Sequence, residues 1–100
     1  MKLKPEVKLT RLSSQALLAM LVAERVYKSL QLDFVVTSVN DGKHMPGSKH
    51  YQGDAFDCRT RHLNAEQQNL VVSDIRAKLP PSQFDVVLES DHIHIEFDPK

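Results

Sequence analysis

Two short segments concentrate the groups in this chain that can bind a metal and move protons. The first, Ser48-Lys49-His50-Tyr51-Gln52-Gly53-Asp54-Ala55-Phe56-Asp57, sets a histidine and an aspartate seven positions apart across a glycine. The second, Glu89-Ser90-Asp91-His92-Ile93-His94, adds two histidines and two acids. Of the five histidines in 100 residues, three fall in these segments. Imidazole nitrogen and carboxylate oxygen are the usual donors to a catalytic zinc, which takes three protein groups and leaves a fourth position for water. His50 and Asp57 can meet if the chain folds back between them, and Gly53 permits that turn. His94, on a neighbouring strand, is placed to be the third ligand. Two neutral imidazoles and one carboxylate leave zinc with a net positive charge, which helps bring the pKa of a water there toward ~7. A nearby carboxylate can then take the proton and pass it to a leaving amine. Asp91 and Glu89 are the acids at hand. His92, two residues from His94 on the same strand face, is close enough to touch the reacting groups.

The elements that must hold these residues can be read from spacing. Ser13 and Ser14 can cap a helix running to about Leu30, with Leu18, Val22, Val26 and Leu30 as a core-facing stripe and Leu17 and Leu21 beside it. Residues 33–38 are β-branched and aromatic, hence a strand. Asn40-Asp41-Gly42 and Pro46-Gly47 bracket a loop. A short strand over 55–60 points Ala55, Asp57 and Arg59 one way and Phe56 and Cys58 the other. Asn64 followed by Gln67 signals the capping box of a second helix, with Leu70, Val71 and Ile75 inward and Pro80-Pro81 ending it. Residues 84–88 form a strand, and His92 to Phe97 alternates so that the imidazoles share one face while Ile93, Ile95 and Phe97 pack inward. Glu89-Ser90-Asp91 joins these last two strands as a hairpin. The expected class is α+β: a small, mainly antiparallel sheet with two helices packed against it.

Composition narrows the function. The length allows one domain, residues 1–100. Apolar residues make up 41% and charged residues 26%, ordinary for a soluble globular protein. Thirteen basic residues balance thirteen acidic ones, and no basic run interleaves with aromatics, which argues against nucleic acid as a partner. Cys58 is the single cysteine, so no internal disulfide can form and a reducing cytosol suits the chain. The basic N-terminus lacks the apolar run of a signal peptide, and the stretch from Ala16 to Ala23 is too short to span a bilayer. A cytoplasmically synthesised monomer without membrane insertion is expected.

The first segment resembles the zinc D-Ala-D-Ala carboxypeptidase family, which shares the hedgehog/DD-peptidase fold. The family motif Ser-x-His-x-x-Gly-x-Ala-x-Asp is matched at Ser48, His50, Gly53, Ala55 and Asp57. Its second element, a histidine preceded by an acid and often in His-x-His, is similar to Asp91-His92-Ile93-His94. The likeness runs from about Phe34 to Phe97. It implies zinc on His50, Asp57 and His94, Asp91 as catalytic acid/base and His92 as support for the transition state, with Glu89 as the alternative acid. The family cleaves stem peptides or crossbridges of bacterial peptidoglycan, and its compact members include bacteriophage endolysins. The implied activity is therefore a metallopeptidase, carboxypeptidase or endopeptidase, acting in cell wall degradation after release from a phage or prophage host. Many members carry an arginine before the first motif that helps hold substrate. Here residues 37–43 contain none, and Lys43, Arg59 or Arg61 could replace it. Ser48, His44 and Lys43 are the candidate substrate contacts, Ser48 orienting the loop or His50 rather than attacking, since no base is spaced for it. His62 is expected on the surface and Cys58 in the core. A catalytically silent zinc-stabilised binding or phage structural module, and a hydrolase of other small peptides or amides, are the rival readings.

Overall fold

The computed structural model describes residues 1–10, 12–39 and 53–100. In chain order these form β1 (Lys2–Leu3), α1 (Ser14–Ser29), β2 (Val35–Ser38), β3 (Ala55–Arg59), α2 (Ala65–Lys78), β4 (Phe84–Leu88) and β5 (His92–Phe97). The five strands make one sheet in the order β1-β2-β3-β5-β4. It is mixed: β1 runs parallel to β2, and the other three pairings are antiparallel. The α+β class with two helices on a sheet holds in this form. β1 is an addition to the expected order. Its two residues are too few to show a period, and only their docking on β2, with Lys2 N–H to Phe34 O and Lys4 N–H to Val36 O both at 2.9 Å, makes them a strand.

Both helices pack on the sheet face that carries Val36, Phe56, Cys58, Val86, Ile93 and Ile95, all part of one hydrophobic cluster. The helix starts follow local chemistry. The Ser13 hydroxyl accepts the Ala16 N–H at α1, and at α2 the Asn64 and Gln67 side chains exchange hydrogen bonds with each other's backbone N–H groups. The expected core stripe of α1 holds at Val26, which is buried, and at Val22 and Leu30, which pack against the core, and is corrected at its leucine-rich first turns. Leu17, Leu18 and Leu21 are exposed, Leu18 by 59%, while Ala16, Ala19, Met20, Ala23, Val26 and Tyr27 are buried. Three alanines share the inner face with Met20, Val26 and Tyr27, and their small side chains permit a close approach of the helix backbone to the sheet. The leucines were the more hydrophobic stripe but not the better-fitting one. In α2, Leu70 is likewise exposed, and Val72 takes the inner position beside Val71 and Ile75.

Phe56, the second residue of β3, has no exposed surface. Truncation by Phe56→Ala should lower unfolding free energy by about 3–5 kcal/mol, read as a drop in urea midpoint at unchanged slope. A loss under 1 kcal/mol would mean that this side chain is not the keystone of the cluster.

Candidate functional site

Alternation along β3 and β5 puts a second set of residues on the sheet face away from the helices. The register pairs Asp57 with His94 and Arg59 with His92, and on the next strand Asp85 with Glu96. Antiparallel partners on one face stand close enough for direct side-chain contact. Asp57 Oδ1 lies 2.9 Å from His94 Nδ1, and Glu96 Oε1 lies 2.8 Å from His94 Nε2. Asp57 also faces His92, with Oδ2 at 3.7 Å from Nε2, and His92 Nδ1 is 2.7 Å from Asp91 Oδ1. Asp91, His92, Asp57, His94 and Glu96 therefore form a continuous row of alternating carboxylates and imidazoles across two strands. Asp57 and His94 are largely enclosed, at 14% and 21% side-chain exposure, whereas Asp91 is 64% exposed.

The electrostatics follow from this row. Hydrogen bonding to Asp57, and then to Glu96, raises the His94 pKa to about 9 against the opposing effect of burial. Flanked by two carboxylates, the ring donates from both nitrogens in its protonated form. The hydrogen bond from His92 holds the Asp91 carboxyl below its ordinary range. On the core side, burial pushes the Cys58 thiol up to about 12. Burial likewise raises the Tyr27 phenol, whose hydroxyl donates to Arg59 O at 2.8 Å.

A raised imidazole pKa stabilises the fold while the folded ring keeps a proton that the unfolded ring has lost. In metal-free protein the His94 contribution is complete below about pH 6.5 and disappears as pH rises from there through about 9. The Cys58 contribution is lost separately, between its ordinary value near 9 and about 12. Urea titrations from pH 6 to 9 should therefore show stability falling by about 1–3 kcal/mol, the scale of hydrogen bonds to a charged group. The fall should shrink in Glu96→Gln. A flat profile across that window would remove the His94 charge from the stability of the fold.

The expected site residues divide as follows. Asp57, His92, His94 and Asp91 come together. Glu89 does not join them through its side chain: it is exposed, and its backbone N–H donates to His92 O at 2.8 Å to close the hairpin. His50, Ser48, His44 and Lys43 lie outside the described residues. His62 is exposed as expected, with Nε2 2.9 Å from Asp33 O and its ring stacked over Tyr27 at 6.4 Å. Cys58 is buried, also as expected.

Glu96 is the functional candidate that the sequence reading passed over. Its signal was present: His92, His94 and Glu96 alternate on one strand face. Among the described residues, three carboxylates, those of Asp85, Glu96 and Asp98, place one oxygen each within 4.8 Å of one another and could hold a metal ion. They are half-buried, and the Lys100 ammonium already occupies Asp85 at 2.7 Å. A cation there would compete with a built-in one. Of the family models, curated proteins and solved structures compared with the chain, none matches it, so an assignment of function rests on this arrangement of side chains.

Proposed function

We propose that this chain is a zinc-dependent peptidase that hydrolyses peptide bonds of bacterial peptidoglycan on a hedgehog/DD-peptidase-like fold. The observation that carries the reading is the convergence of Asp57 and His94 from paired strands, at 2.9 Å, with Glu96 behind the imidazole. The donor set fits zinc: one imidazole nitrogen and one carboxylate oxygen face each other. The second ring nitrogen is held by a further carboxylate, the support that metal-ligating histidines usually have. The motif of residues 48–57 supplies the substrate class and adds His50 as third ligand.

Zinc, when bound, supplies a Lewis acid that polarises the scissile carbonyl and acidifies a water. With Glu96 accepting the hydrogen of His94 Nε2, Nδ1 would be the nitrogen left to hold the metal beside Asp57. Asp91, ionised and open to solvent, accepts the proton of the attacking water and delivers it to the leaving amine. Its contact with His92 aims the carboxylate along the row. In its protonated form His92 donates to Asp91 from Nδ1 and offers Nε2–H to the oxyanion that develops on the carbonyl.

Mass spectrometry of purified peptidoglycan, digested with zinc-loaded and with chelated protein, tests the proposal. New peptide termini should appear only with zinc. If chelation merely lowers the melting temperature and no bond is cut in either sample, the chain is a zinc-stabilised module without hydrolytic activity.

A further inference from the structure

The outer face of α1 carries apolar groups and then basic groups along one line. Leu17, Leu18 and Leu21 are 40%, 59% and 46% exposed. Leu18, Leu21, Arg25 and Lys28 follow one another at steps of three, four and three residues, which sets them on one stripe of the helix. Arg25 and Lys28 are exposed, and so is Lys78, the last residue of α2. A groove of about 500 Å³, lined by Arg25, Val26, Lys28, Ser29 and Lys78, gathers the three cations at one end of the leucines. The acids closest in sequence do not line it: Glu24 is tied to the Met1 ammonium at 2.8 Å, and Asp74 is half-buried one turn before Lys78. Among the described residues the side chains of Arg25, Lys28 and Lys78 make no hydrogen bond or ion pair.

We propose that this face of α1, together with Lys78, docks on the surface of an anionic lipid bilayer. The leucines enter the boundary between headgroups and acyl chains, and the cations meet the lipid phosphates. Leucines on a helix face with Lys and Arg beside them are the composition of helices that lie in that boundary. Contact is at the surface, because no helix among the described residues is long and apolar enough to cross a membrane. A soluble polyanion would use the three cations and leave the leucines in water. A second copy packed antiparallel on α1 would bring Ser14 and Gln15 to Arg25 and Lys28, since the first turn of α1 carries no acid. An anionic bilayer complements both halves of the stripe. The inference goes beyond the peptidase reading and stands without it. Since α1 packs on the sheet face opposite the acid–imidazole row, a chain resting on α1 holds that row away from the lipid and open to solvent.

Co-sedimentation of the full chain with vesicles tests the proposal, one set made of phosphatidylcholine alone and one containing phosphatidylglycerol. At low salt, binding to the phosphatidylglycerol vesicles should exceed binding to phosphatidylcholine by at least about tenfold, and it should fall as added salt screens the charges. The double variant Arg25→Ala with Lys28→Ala should bind about tenfold more weakly or worse, since each cation near an anionic surface contributes about fivefold. Leu18→Ser with Leu21→Ser should lose about tenfold as well, through lost apolar burial. All four positions are exposed, so circular dichroism should show an unchanged fold, and either pair carries the test if the other misfolds. Equal binding to both vesicle sets, binding to neither, or full binding by the leucine pair overturns the proposal. Polyphosphate bound as tightly as the vesicles, with the leucine pair unaffected, makes this a site for soluble polyanions and overturns it too. A dimer seen by light scattering that the leucine pair disperses, with no vesicle binding, makes the face an interface between copies instead.

Discussion

If the chain is the zinc peptidase proposed above, His94→Ala should abolish zinc binding and lower peptidoglycan peptide hydrolysis by about a thousandfold or more. A bound metal stabilises charge in the transition state by several kcal/mol, and each 1.36 kcal/mol is a factor of about ten in rate. Asp57→Asn should behave similarly in activity. It swaps a charged donor for a weak neutral one and removes the anion that faces both His92 and His94. The two variants differ in metal-free stability. His94→Ala removes one member of the row, whereas Asp57→Asn leaves two imidazoles that no longer share a carboxylate. Metal content by mass spectrometry and rates on isolated muropeptides read both effects. Wild-type hydrolysis in either variant would show that the Asp57–His94 pair is a structural ion pair only.

Asp91→Asn should cost about 10²–10⁴ in kcat while zinc content and KM stay close to wild type. General acid–base catalysis contributes on that scale, and the amide can neither accept nor return the proton. Glu89→Gln should change the rate by less than about threefold, since no side-chain contact ties Glu89 to the row. The pH–rate profile gives an independent readout. The Asp91 carboxyl is held low by His92, so wild-type activity should persist at mildly acidic pH until that carboxyl protonates or the metal ligands do. Full activity in Asp91→Asn would remove the proton shuttle, and a large loss in Glu89→Gln would move it to the hairpin turn.

Much of the local architecture was legible because it depends on neighbours in sequence. The capping box of α2 needs only Asn64 and Gln67. The hairpin of β4 and β5 needs only two alternating runs and a short turn. The inward set of β3 and β5, with Asp57 and the imidazoles on the opposite face, follows from a period of two. The inner face of α1 was not legible in the same way. Leu17, Leu18 and Leu21 outrank Ala16, Ala19 and Ala23 on any hydrophobicity scale, yet close approach to the sheet selects the small residues. β1 was missed for a related reason, since two residues become a strand only when β2 is there to pair with them.

For the site, residue types and spacing named which side chains could act, because those are properties of the chain in one dimension. The β3–β5 register, which only folding settles, brought Asp57 onto His94 and put Arg59 beside His92. It also gave Glu96 its partner: alternation puts Glu96 on the face of His92 and His94, and folding sets its oxygen 2.8 Å from the His94 imidazole. Distances between residues nearly forty positions apart are fixed by strand pairing and packing, and nothing in local sequence encodes them.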